Sequence, residues 1–137
     1  MNAEIKPMVN QIECHPFYQR QTDLECAKYY GVQLESWASL AEVGRGILEN
    51  EILTEIAKNH KKTAAQIVLR WNVPRGVVVI PKSIHKERIE ENINIFDFEL
   101  SEAEMEEIRS MDTGKGAHNP DALGIKEGLL EKYKIED

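Results

Sequence analysis

The stretch Val77-Val78-Val79-Ile80-Pro81 restricts the fold of this chain more than any other. Four successive β-branched residues with no polar alternation match a parallel strand buried on both faces, and the proline that follows has no N–H to extend a ladder. A parallel strand reaches its neighbour through a crossover of a dozen or more residues, usually helical. The preceding residues supply one. Positions 50–59 read as a short helix, and Thr63-Ala64-Ala65-Gln66 is a capping box that opens a second piece through Ile67, Leu69 and Arg70 toward Pro74.

The same alternation extends both ways. Val9-Asn10-Gln11-Ile12-Glu13 and Val32-Gln33-Leu34-Glu35-Ser36-Trp37 have the period of two expected of strands, the first ending at His15-Pro16 and the second before a loop with Gly44 and Gly46. Between them, Asp23 opens a helical stretch with Leu24, Ala27 and Lys28, which Gly31 is placed to end. Downstream, 85–95 reads as helical, and Ser101-Glu102-Ala103-Glu104 caps a helix carrying Met105, Ile108 and Met111. Beyond Thr113, Gly114, Gly116, Pro120 and Gly124 break the chain and leave a short helix over 126–133. Strand–helix alternation implies a parallel sheet with right-handed crossovers, so the class is α/β. A complete (β/α)8 TIM barrel takes about 250 residues, roughly 31 per unit. The 137 residues hold three strands and an extension, so the expectation is one incomplete barrel domain over 1–137 with 113–137 as its C-terminal tail.

Charge and cysteine usage exclude several function classes. With 24 acidic and 17 basic residues the net charge is −7, which argues against a dedicated nucleic-acid surface and confines any anion site to a local pocket. No segment approaches the ~20 apolar residues of a membrane span, and Met1-Asn2-Ala3-Glu4 has no export pattern, so a cytoplasmic protein is expected. Cys14 and Cys26 lack a second pair at zinc spacing and are expected to stay reduced. Cys14-His15 has no carboxylate cluster to complete a coordination shell, so no metal is expected.

Three segments occur in an order and spacing that resemble the aldo-keto reductases. They are 9–16, read above with its His15-Pro16 end; Glu35-Ser36-Trp37-Ala38-Ser39-Leu40; and Ile80-Pro81-Lys82-Ser83, which leads into 88–98. The resemblance covers about residues 5–112, and the Trp37 version is similar to the branch containing 2,5-diketo-gluconate reductases. It implies that the three strands correspond to strands 6–8 of the barrel and that the cofactor is NADPH.

On this resemblance, Gln11 matches the residue that hydrogen-bonds the nicotinamide carboxamide; its amide has the donor and acceptor for that task, though it also suits a satisfied strand-end amide. Trp37 matches the aromatic that stacks on the nicotinamide ring, or is a core tryptophan. Leu40 matches a position near the pyrophosphate, with Ala38-Ser39-Leu40 where the family has Ser-Pro-Leu. Lys82 and Ser83 follow a parallel strand, where barrel enzymes build their sites, and precede a helix N-terminus that favours anions. A cation and a hydroxyl there suit the adenosine 2′-phosphate. Arg88, Glu91 and Asn92, at i, i+3 and i+4, match adenine-contacting positions; the competing reading is a solvated helix with an internal Arg–Glu pair.

The family reduces small aldehydes and ketones. Its tyrosine, lysine, aspartate and histidine tetrad is expected upstream of residue 1, so no catalytic residue is assigned. Tyr18, Tyr29, Tyr30 and Tyr133 match no catalytic motif, and His15, His60, His85 and His118 read as surface or structural. Tyr29 and Tyr30 read as packing residues and Tyr18 as bordering a pocket. Three strands leave two open edges, so self-association or pairing with a separate N-terminal fragment is expected. The isolated chain is expected not to turn over. The alternative is a non-catalytic nucleotide-binding or interaction module derived from the barrel.

Overall fold

The computed structural model describes residues 4–41 and 46–117. Gly44 and the tail features expected at His118, Pro120, Gly124 and 126–133 lie outside the described residues. Three parallel strands, β1 (Val9–Glu13), β2 (Gln33–Trp37) and β3 (Val77–Val79), form one sheet in the order β1-β2-β3. The crossovers are α1 (Gln21–Tyr30) and the pair α2 (Glu51–His60) and α3 (Ala64–Asn72); α4 (Lys86–Ile93) and α5 (Glu102–Arg109) follow the last strand. The α/β order read from the sequence is therefore present, as a three-stranded parallel sheet with helical crossovers.

Local chemistry sets most boundaries. Asn50 accepts from the Ile52 and Leu53 N–H groups, and capping boxes close at Thr63–Gln66 and Ser101–Glu104. Gly31 ends α1 with a φ of 67°, a left-handed turn that costs glycine little, while the Val32 N–H reaches the Ala27 carbonyl at 2.8 Å. α1 begins at Gln21, two residues before the expected Asp23, because Asp23 turns back to Arg20 at 2.7 and 3.0 Å.

Register decides which side chains share a face. Gln11 pairs with Glu35, Glu13 with Trp37, and Glu35 with Val78, so these five point to one side of the sheet. Leu34, Ser36 and Val77 point to the other. There Leu34, Val77 and Ala27 form a small core with Ile12, Leu24 and Val32. The larger core lies among α2, α3 and α5, where Leu53, Ile56, Ile67, Val68, Trp71 and Ile108 are at most 2% exposed. Fully burying each aliphatic side chain is worth about 1.5–3 kcal/mol.

The strand over 77–79 differs from its expected burial. Val77 is buried, but Val78 is 42% and Ile80 48% exposed. β3 is an edge strand, and no described element covers the Gln11, Glu35 and Val78 face, so a run suited to burial on both sides is packed on one. Tyr29 and Tyr30 also depart from a packing role. They occupy the last turn of α1, 82% and 44% exposed, and meet edge to face at 4.9 Å.

Two buried amides tie the outer helices down. Gln19 Nε2 lies 2.8 Å from the Pro16 carbonyl and 2.7 Å from that of Ile108, joining the loop after β1 to the end of α5. Gln66 Oε1 accepts from the Thr63 N–H at 3.0 Å, while its Nε2 donates to the carbonyls of Glu91 at 3.1 Å and Asn94 at 2.9 Å. One side chain thus caps α3 and holds the C-terminal end of α4.

Candidate functional site

Because β2 and β3 are parallel neighbours, their C-terminal ends release the 38–41 loop and the 80–85 segment on the same side of the sheet. Between them lies a cavity of about 440 Å³, lined by Trp37, Leu40, Lys82 and their neighbours Ala38, Ser39, Ile80 and Pro81. Three of the sequence-predicted residues therefore meet in one cleft, delivered by two different crossovers. Trp37 and Leu40 are half-buried, and Lys82 is exposed. An aromatic ring, an aliphatic side chain and a mobile cation suit a ligand with a flat ring and anionic groups.

The 38–41 loop is held without proline. Ala38 and Ala41 adopt left-handed φ values of 52° and 51°, which a non-glycine residue adopts at a cost of roughly 1 kcal/mol or more. The Ala41 N–H closes the turn on the Ala38 carbonyl at 2.7 Å. Ser39 is buried, and its Oγ lies 2.9 Å from Ser36 Oγ and 3.1 Å from the Ser36 carbonyl; Ser36 Oγ donates in turn to the Cys14 carbonyl at 2.6 Å. The Ser39 hydroxyl is therefore committed to the loop's own structure.

Ser83 Oγ accepts from the His85 N–H at 3.1 Å, a turn that leads into α4. His85 offers no side-chain cap, so the first amides of α4 have no side-chain acceptor. Lys82, Ser83 and these amides together form a local basic end in a chain of net charge −7. Along α4, Arg88 and Glu91 are exposed, and the ion pair within this helix is Lys86–Glu90 at 3.7 Å. Asn92 turns elsewhere. With Ile89, Ile93 and Phe96 it lines a second, apolar groove of about 570 Å³ against β3.

Gln11 stands on the face shared with Trp37, diagonal to it across β1 and β2, and its Nε2 donates to Glu35 Oε1 at 2.5 Å. Glu13 escaped the sequence reading as a site residue, although the alternation that places Gln11 places it on the same face. Its carboxylate is 3% exposed and accepts from the Ala117 N–H at 2.7 and 2.8 Å, with His15 Nε2 at 3.1 Å. His15 is fully buried, a structural position. Burial pushes the Cys14 thiol above its ordinary value, against the nearby Arg75 guanidinium, which works to lower it. Among the described residues no group of three or more His, Cys, Asp or Glu could hold a metal, and no helix is long and apolar enough to cross a membrane.

The aldo/keto reductase family model matches residues 1–113. The chain is 48% identical over 123 residues to a glyoxal reductase of Bacillus subtilis (strain 168), covering 89% of this chain and 44% of that protein. It is 40% identical over 121 residues to the methylglyoxal reductase DkgA of Escherichia coli (strain K12), covering 88% and 44%. Among solved structures, an aldo-keto reductase enzyme from a Medee basin deep-sea metagenome library, MGS-M4, superposes with a TM-score of 0.81 at 45% identity, over 86% of this chain and 44% of that one. A mutant of Gox0644 in complex with NADPH superposes with a TM-score of 0.81 at 38% identity and the same coverage. The chain thus spans less than half the length of these relatives.

Proposed function

The chain belongs to the aldo/keto reductase family, and from that premise we propose that it forms one side of an NADPH site in a reductase of small aldehydes and ketones. The observation that carries this reading is the single cleft shared by Trp37, Leu40 and Lys82, built from two separate loops. The Trp37 ring stacks on the nicotinamide and selects the face turned to substrate. Gln11 exchanges its bond to Glu35 for the carboxamide, which its amide matches in donor and acceptor. Leu40 borders the pyrophosphate. Lys82, Ser83 and the open amides of α4 take the adenosine 2′-phosphate, with the exposed Arg88 and Glu91 offered to the adenine, whereas Asn92 lines the apolar groove. NADPH supplies a hydride to the carbonyl carbon when bound. The proton for the carbonyl oxygen comes from a residue of the wider barrel, since no tyrosine in this sequence matches the catalytic motif; the isolated chain does not turn over.

The uncovered sheet face and the exposed Val78, Ile80, Ile89, Ile93 and Phe96 leave an open parallel edge beside an apolar groove. The chain therefore associates, with the rest of a barrel or with itself. A compact monomer in light scattering would count against that part of the reading.

Calorimetry on wild type and Lys82→Ala, with NADPH and NADH, tests the cofactor site. Removing a charge-assisted contact is worth about 1.5–3 kcal/mol, so NADPH binding should weaken roughly 10- to 150-fold while NADH binding changes little. Equal weakening for both dinucleotides, or no binding by folded wild type, would refute the assignment.

A further inference from the structure

The geometry points to Glu13 as a positioning residue: its buried carboxylate latches residues 112–117 across the end of β1 and makes that segment a wall beside the ring held on Trp37. This rests on the reading of Trp37 given above.

The segment is stitched to the loop after β1 along its length. Gln19 N–H donates to Asp112 Oδ1 at 3.4 Å, and Thr113 gives both its N–H at 3.0 Å and its Oγ1 at 2.8 Å to the Phe17 carbonyl. The Gly114 N–H folds back on Asp112 Oδ1 at 2.9 Å. The last stitch reaches the strand itself, where the Ala117 N–H is shared by both oxygens of the buried Glu13 carboxylate. A carboxylate is acceptor-only, so it can receive a backbone amide with either oxygen, which a neutral amide side chain cannot do. His15 Nε2 holds Oε1 from the other side.

A side chain on the residue before Ala117 would displace the latch. A Cβ at Gly116 would lie 2.6 Å from Glu13 Oε2 and 2.6 Å from the Tyr18 ring, closer than real Cβ contacts. Glu13 and Trp37 are register partners in neighbouring parallel strands, so their side chains leave the same face about 4.8 Å apart at the backbone. Holding the segment at Glu13 thus keeps it at the strand end that carries Trp37, on the side where a carbonyl substrate would approach the stacked ring. Glu13 touches neither cofactor nor substrate. It acts through the backbone it holds, while Lys82 and Arg88 serve the opposite end of the cofactor.

Amide and indole proton–nitrogen NMR correlations of the full chain, recorded during NADPH titration, test this in wild type, Glu13→Gln and Gly116→Ala. In wild type the Trp37 indole and the Gly116 and Ala117 amides should all move as NADPH binds. In Glu13→Gln the Ala117 amide of the free protein moves upfield, having lost its carboxylate, and its response to NADPH is lost while that of Trp37 persists. Gly116→Ala should likewise uncouple residues 116–117 from NADPH, with the Leu34 and Ser36 amides unchanged as the check on the fold. A Trp37 response with silent Gly116 and Ala117 in wild type would overturn the wall, and needs no variant. An Ala117 amide unaffected by Glu13→Gln would overturn the latch. Silence at Trp37 itself would overturn the cofactor reading, and the wall with it.

Discussion

Replacing Gln66 with alanine should loosen α4 without touching the cleft. Gln66 is 5% exposed, and its amide makes three bonds of 2.9–3.1 Å, to the Thr63 N–H and to the Glu91 and Asn94 carbonyls. At about 0.5–1.5 kcal/mol net per bond the loss is roughly 2–4 kcal/mol, offset by a few tenths from alanine's better helix propensity. The Thr63 hydroxyl still caps α3, because it accepts from the backbone N–H of residue 66, so the helix itself should persist. Urea unfolding followed by circular dichroism should show a lower midpoint with an unchanged slope. In a domain of this size the thermal midpoint should fall by roughly 6–12 °C. Gln66→Glu keeps an acceptor for the Thr63 N–H but turns an oxygen toward two carbonyls, so it should be no more stable than the alanine variant at neutral pH. A Gln66→Ala protein within about 0.5 kcal/mol of wild type would refute the claim that this amide joins α3 to α4.

Two further outcomes follow from the titratable groups. Partial burial works to raise the Glu104 carboxyl, but the Ser101 N–H and O–H and His60 at 2.8 Å outweigh it and hold the group below its ordinary 4.5. Its contribution is then complete above that value and lost as pH falls below it, so an acid titration of stability should be shallower in Glu104→Gln; identical curves would refute the link between α2 and α5. Cys14 is 1% exposed with its thiol pushed up by burial, whereas Cys26 is exposed. A thiol reagent should modify one cysteine rapidly in the native protein and the second only on unfolding, with mass spectrometry placing the first label at Cys26.

The residues of the candidate cleft were legible because each follows a strand end that the local pattern marks: Trp37 closes an alternating run, and Lys82 follows the proline after the valines. What the pattern could not supply was their separation into two places. Asn92 shares α4 with Arg88 and Glu91, yet lines the apolar groove with Ile89 and Ile93. Sequence spacing gives the angle between side chains on a helix, but the rotation of the helix against the sheet comes from packing. Glu13 was legible as a neighbour of Gln11 on one face, but its role depends on Ala117, 104 positions away.

By itself, the sequence determined the elements and their punctuation. Capping boxes at Thr63 and Ser101, the glycine stop at Gly31 and the two-residue period of the strands all act within a few residues, through hydrogen bonds and steric limits that need no distant partner. Tertiary structure alone decided burial. The same β-branched run leaves Val77 covered and Val78 open, and an acidic residue at the end of β1 is buried with a histidine and a distant backbone amide. Burial is a property of what lies opposite a side chain, and in this fold that is set by which faces of the sheet the helices reach.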